Sequence, residues 1–343
     1  MKTKLFILSF LVLAFSAVKA HVITVSNNAV NAGHFNNLQI AADSANVGDT
    51  IYVMGSPTDY GNVTLNTRVT LIGAGYAVTG TQYNYISEVD NIYLDSLSFG
   101  NPVSGTKVMG FYINSNFDYS GTANINNVDI ERCYVNGNVY VNGRGWIIRN
   151  NDVSIQMQNY GYAYIQNNFL YYVQNSNQTT VVIDHNDFVS NNGYAFYQTF
   201  NALITNNVFY YCNPEYPTPS YETNNTFSNN IVTNSTSINL NAYTGNTGSG
   251  NIFATPPGFS DAAIPASTVC GTCIWTYTWG FKVGSPAHNA ATDGTDIGVY
   301  GGSYVLPNIT GATRIPQMTL MNVSGIVPAG GSINVNFKAR DQK

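Results

Sequence analysis

The chain has 343 residues, only 9% of them charged, and its 18 Asp and Glu outnumber its 13 Lys and Arg for a net charge of −5. Nucleic-acid binders carry a basic footprint, so that class of partner is excluded. With 44% hydrophobic and 13% aromatic residues the chain can build a core, which excludes a disordered profile.

In chain order, "MKTKLFILSFLVLAFSAVKA" (1–20) joins a basic start to an apolar run from Leu5 to Ala17 and ends on small residues. This pattern predicts a secretory signal peptide cleaved after Ala20; the apolar run falls short of the ~20 residues a spanning helix needs. The mature chain is therefore expected to be secreted or held at the cell surface, with no transmembrane segment. It would keep ten cationic side chains against eighteen acidic ones. Residues 22–26 read as a strand. Residues 35–46 read as a short amphipathic helix whose Leu38, Ile40, Ala41 and Ala45 would cover an open end.

From about Thr50 to Phe259 a short phrase recurs, of the form I-x-N-N-x-apolar. It appears as "IERCYV" (130–135), "IRNNDV" (148–153), "IQNNFL" (165–170), "IDHNDF" (183–188), "ITNNVF" (204–209), "FSNNIV" (227–232) and a degenerate "GSGNIF" (248–253). Successive starts lie 18, 17, 18, 21, 23 and 21 residues apart. No helix-pair repeat is that short, so the spacing predicts stacked coils of short strands. "LDSLSF" (94–99) falls two 18-residue steps before the first of these phrases, and "MGFYIN" (109–114) leaves room for a coil between them. Of each Asn pair, the first suits a left-handed corner. The second would point inward and bond its counterpart ~4.8 Å away along the stack. That ladder is predicted to comprise Asn151, Asn168, Asn186, Asn207, Asn230 and Asn251, with Cys133 in the equivalent place at its N-terminal end.

Inserts are expected at 76–90 and 212–226, the latter carrying three prolines. Residues 260–284 read as an irregular segment with Trp275, Tyr277 and Trp279, its Trp275–Trp279 stretch capping the final coil. After Gly302 the pattern changes to one or two strands around Pro-Ala-Gly-Gly. The organisation predicted is a signal peptide (1–20), an all-β parallel helix with its cap (21–302) and a small C-terminal β tail (303–343).

The stretch "FNNLQIAADSANVGDTIYVMGSPTDYGNVTLNTRVTLIGAGY" (35–76) resembles the opening of secreted right-handed parallel β-helix proteins of the pectin-lyase-like superfamily. There a capping helix precedes a Gly-Asp-Thr-Ile turn and strand. "SPAHNAATDGTDIGVYGG" (285–302) is similar to the phrase that closes many such helices, with His288-Asn289 where an acidic residue is common. The resemblance implies a right-handed helix over roughly 22–302. It does not choose an activity, because the superfamily holds lyases, hydrolases, adhesins and uncharacterised secreted proteins.

The arginine–proline–arginine signature of pectate lyases and the polygalacturonase motifs are absent. What remains is a polar cluster on consecutive coils: Asp129, Glu131, Arg132, Arg144, Arg149, Asp152, Asp184, His185 and Asp187. In a catalytic reading, Arg144 or Arg149 neutralises a sugar carboxylate while His185, Asp184 or Asp187 moves a proton. In a structural reading, Glu131 and Arg149 form a cross-strand ion pair of a few tenths of a kcal/mol, and His185 replaces a turn Asn. Calcium at Asp184 and Asp187, or at Asp293 and Asp296, is a further option. Tyr160, Tyr162, Tyr164, Tyr172, Tyr194 and Tyr197 fall on adjacent coils, where an outward aromatic stripe would suit sugar faces and intracoil stacking is the plainer alternative. "CGTC" (270–273) reads as a local disulfide or two free thiols. The functions left open are a surface β-helix contacting polysaccharide or a cell-surface glycan, a lyase or hydrolase of acidic glycans, and a structural adhesin or scaffold.

Overall fold

The computed structural model describes residues 20–305 except 30–31, 77–84, 96–101, 159–160, 176–179, 191–192, 215–221, 234–244, 262–263, 266–267 and 269–278, together with the backbone of two strands beyond residue 316. The predicted signal peptide as far as Lys19, Tyr160, Trp275, Tyr277, Cys270 and Cys273 lie outside the described residues.

The fold is a parallel β-helix. One sheet stacks eleven strands, from Val22–Val25 through Trp146–Arg149, Ala163–Gln166, Val181–Asp184 and Ala202–Thr205 to Thr247–Ser249. A second sheet runs beside it from Val63–Leu65 through Tyr134–Asn142, Asp152–Gln158 and Phe169–Asn175 to Ile252–Phe253. Alternation along each strand sends every second residue inward. The parallel register then stacks like on like: Ile130, Ile148, Ile165, Ile183, Ile204 and Phe227 are paired in succession and fully buried. On the second sheet Phe188 lies over Phe209, ring centroids 4.9 Å apart.

From Lys107–Met109 onward, each first-sheet strand hands over to its second-sheet partner through a corner of two residues. The first of the two is left-handed throughout: Gly110, Arg132, Asn150, Asn167, His185, Asn206, Asn229 and Gly250 all have φ between 51° and 77°. The second points inward. Asn151 Nδ2 donates to Asn168 Oδ1 (3.1 Å), Asn168 to Asn186 (3.0 Å), Asn186 to Asn207 (3.0 Å), Asn207 to Asn230 (3.0 Å) and Asn230 to Asn251 (2.9 Å). Each Oδ1 also accepts a backbone N–H from the preceding coil, and the column ends where Asn151 Oδ1 accepts from Cys133 N. Amides that would be costly to bury alone are thus satisfied by their own repeats.

The helix Leu38–Ser44 covers the N-terminal end, its first turn capped by Asn37 Oδ1 accepting from Ile40 N (3.0 Å). Leu38, Ala41 and Ala42 form its buried face, at the i, i+3, i+4 spacing of a helix stripe. Ile40 is 56% exposed, contrary to its predicted inward role, because it falls off that stripe. Ala45, just past the helix, packs against the core.

Two further expectations are corrected. Ile92–Asp95, whose last two residues begin "LDSLSF", belongs to the second sheet and pairs with Phe117–Ser120, so that phrase does not leave a first-sheet strand as the later ones do. Apolar alternation looks the same on either sheet, and only the left-handed residue marks the turn. Trp279 does not cap the final coil. It packs edge-on against Phe169, Tyr210 and Phe259 on the flank of the second sheet. Beyond the helix, Gln317–Val323 and Val335–Arg340 pair antiparallel, the two-stranded tail that the sequence suggested; its Pro-Ala-Gly-Gly turn lies outside the described residues.

Candidate functional site

The outward side chains of the corner residues form a seam, and residues 290–304 lie along it. Asn229 Nδ2 donates to Ala290 O (2.9 Å), and Asn206 exchanges bonds with Thr292, Nδ2 to Oγ1 (2.9 Å) and Oδ1 from N (2.8 Å). His185 Nε2 meets Thr295 Oγ1 (3.3 Å) and lies 3.7 Å from Asp293 Oδ1. Asn167 Nδ2 donates to the carbonyls of Val299 (3.0 Å) and Gly301 (2.8 Å). Arg149 ends the series under the Tyr304 ring, 4.5 Å from its centroid. The segment therefore runs back along the stack, across the coils from Asn229 to Arg149. Its glycines permit the close approach: a Cβ on Gly298 (φ +86°) would strike Asp187 Oδ1, and one on Gly301 would strike the His185 ring.

This strap absorbs most of the residues that the sequence offered for catalysis. His185 is 2% exposed, and its Nδ1 sits 2.9 Å from Asp184 Oδ2. Burial pushes the Asp184 carboxyl up, but the hydrogen bond and charge of His185, with donors Thr205 (2.7 Å) and Asn206 (2.8 Å), outweigh it and hold the group below the usual carboxylate range. Asp187 is fully buried; its Oδ1 accepts from Val299 N (3.2 Å), and burial drives its pKa up to about 8. Asp187 thus sits as a neutral acid under the strap rather than in a cleft.

Arg149 is held as well. Its Nε donates to Glu131 Oε1 (2.7 Å), its Nη2 contacts the same carboxylate, and Nη2 reaches Asp129 Oδ2 at 3.4 Å. Burial and the Glu131 charge lift the Asp129 carboxyl to about 6. The Glu131–Arg149 pair is the predicted cross-strand pair, but it is largely shielded from water and shares the cation with a second acid. Arg144 is exposed and precedes the first-sheet strand that Arg149 ends. It does not join the others.

For calcium, Asp184 is occupied by His185, Thr205 and Asn206, and Asp187 is closed over by Val299. Asp293 accepts from Thr295 N and Oγ1, and Asp296 from Asn289 N while facing His288. Among the described residues no group of three or more His, Cys, Asp or Glu is arranged to hold a metal ion.

An open groove of about 330 Å³ lies elsewhere, on the second sheet. It exists because the register slips on both sides of one strand. Between Tyr134 and Asn138 the strand Tyr134–Asn142 carries two more residues than Asp152–Gln158 beside it. Phe169–Asn175, on the other side, carries one more between Leu170 and Val173. Bulged strands bend away from their partner. The unbulged strand therefore forms a floor, with Asp152 and Val153 buried and Ser154 half-buried, between walls where Asn136 and Tyr171 are exposed.

The walls are fixed in place. Tyr172 OH accepts from Gln156 Nε2 (2.6 Å) and donates to Asn138 Oδ1 (2.7 Å). Tyr134 stacks on Tyr112 at 4.6 Å, and its hydroxyl bonds Asn136 Oδ1. Side chains held this way lose little further freedom on binding.

Of the six tyrosines chosen from sequence, Tyr172 alone among the described five lines the groove. Tyr162 and Tyr164 pack edge-on at 5.2 Å by the first sheet, and burial beside Tyr164 pushes the Tyr162 phenol up to about 12. Tyr194 bridges to Asn213, and Tyr197 pairs opposite Gln174 on the second sheet. They form no single stripe, because they are divided between the two sheets and a connecting bridge. Tyr134, Asn136, Asn138 and Tyr171 were missed. Their signals were Asn-Gly-Asn inside a strand-like run and the doublet Tyr171-Tyr172, both of which break alternation as bulges do. No protein-family model matches this chain, and no curated protein matches it in sequence.

Proposed function

We propose that this chain is an exported β-helix protein that contacts polysaccharide outside the cell and holds it, without chemistry, in the groove between Tyr134 and Tyr171–Tyr172. The observation that carries the reading is that groove: open, walled by preset tyrosines and furnished with amides, a composition suited to the apolar faces and hydroxyls of sugar rings. The leader-like residues 1–20 support export. The phrases at 35–76 and 285–302 support membership of the right-handed, pectin-lyase-like superfamily. A binding role rather than turnover is supported by the engagement of His185, Asp187 and Arg149 in the strap and its ion pairs.

A glycan array probed with the secreted chain, beside lyase and hydrolase assays on the same glycans, tests the reading. Binding without product is expected. Binding should be weakened by Tyr171→Ala and unchanged by Tyr164→Ala, which removes an equally exposed ring by the other sheet. Product release that disappears in Arg149→Ala would establish the catalytic alternative. A silent array would leave a scaffold role.

A further inference from the structure

We infer that the groove selects uncharged glycans and discriminates against uronate-rich ones; the inference rests on the polysaccharide-binding role proposed above and names its ligand class. Among the described residues its lining contains no lysine or arginine. Asp152, a floor residue 2% exposed, is the one acidic residue among the described residues of that lining. Of the described cations, Arg149 is engaged by Glu131, Asp129 and the Tyr304 ring, and Arg132 sits at a corner and is not among the lining residues. A uronate carboxylate entering the groove would shed water beside Asp152 with no cation in the lining to receive it. The chain's net charge of −5 opposes approach of a polyanion as well.

An uncharged sugar meets none of these costs. Its ring face can lie against Tyr171 or Tyr172, and its hydroxyls meet the exposed Asn136 amide and the Ser154 hydroxyl. The backbone of 135–137 adds to these, since those residues have no register partner on the floor strand. A volume of about 330 Å³ is at the small end of ligand sites, so the groove grips a short stretch of chain.

The test is titration of the secreted chain with neutral oligosaccharides (β-glucan, mannan, xylan and chitin types) and with oligogalacturonate and oligomannuronate. Titrations are run at low and physiological salt, with calcium and with a chelator. At least one neutral probe should bind with little dependence on salt, and the uronates should be at least roughly tenfold weaker. Tyr171→Ala should weaken the neutral probe by about tenfold. Asp152→Asn should narrow the uronate deficit. Because Asp152 is buried and its replacement can disturb folding, Ser154→Lys supplies the missing cation independently and should recruit oligogalacturonate. Uronate binding as tight as that of the best neutral probe, with or without calcium, overturns the inference and leaves the polysaccharide role standing. So does a uronate deficit unmoved by both variants. Failure of every probe, neutral and acidic, sinks that role instead.

Discussion

Asp187 shows how position changes what a side chain means. In sequence it is an acid two residues from a histidine; in the fold it is a buried carboxyl accepting from Val299 N, its pKa raised to about 8 from the ordinary 3.8 of an aspartate. A raised acid binds a proton in the folded chain that the unfolded chain has already released. Its contribution therefore favours folding at low pH and is lost as pH rises from about 4 to about 8. Asp129, lifted to about 6, acts in the same direction over a narrower window. Asp187→Asn should flatten this slope, so the thermal midpoint of the variant should fall less than that of wild type between pH 5 and pH 8. Parallel curves would mean that Asp187 is ionised in the fold. Arg149 teaches the same lesson. The sequence valued its pair with Glu131 at a few tenths of a kcal/mol, but removing a shielded cation shared by two carboxylates and capped by a ring leaves Glu131 uncompensated and Asp129 with only Lys107, 4.0 Å away. Its loss should cost about 2 kcal/mol.

The recurring element is the two-residue corner, and its two positions do different work. Inward amides bond along the stack, so their cost of removal depends on where they stand. Asn168→Ala takes donors from Ile148 O, Gln166 O and Asn186 Oδ1 and an acceptor from Asn151. Buried groups left unpaired cost ~1–3 kcal/mol each, and a loss of about 3 kcal/mol is expected. Asn251→Ala, at the last rung and bonded only toward the preceding coil, to Asn230 and to Phe227 O, should cost less, about 1–2 kcal/mol; urea midpoints for the two variants measure the contrast. The corners, the ladder and its stop at Cys133 were legible because backbone handedness and register repeat in the letters. The strap was not. Nothing in "ATDGTDIGVYGG" says which surface it meets, and the outward duty of Asn167, Asn206 and Asn229 appears only once that surface is assembled. The groove escaped for a related reason: bulges are defects in a pattern, visible only against their neighbours' register.

Over the whole molecule the strap joins coils that would otherwise touch only the next in line. Stacked repeats are stabilised chiefly between nearest neighbours, whereas residues 290–304 bond or pack on side chains of successive coils from Asn229 to Arg149. Lys282 is the one lysine or arginine between residues 150 and 313, and it sits in an exposed turn before the strap, next to a fully exposed Val283. Limited trypsin should nick there, and the strap-bearing piece should still co-elute with the helix on size exclusion, separating only in denaturant. Separation in native buffer would show that the seam adds little cohesion.

One asymmetry in the coils bears on how such a chain can change. From Met109 onward, two residues always separate a first-sheet strand from its partner, while the return path to the next coil absorbs every difference in repeat length, from 17 to 23 residues. Insertions and deletions are thereby steered to one rim of the stack. New loops can be tried there, one coil at a time, without disturbing the spine that keeps the rungs aligned.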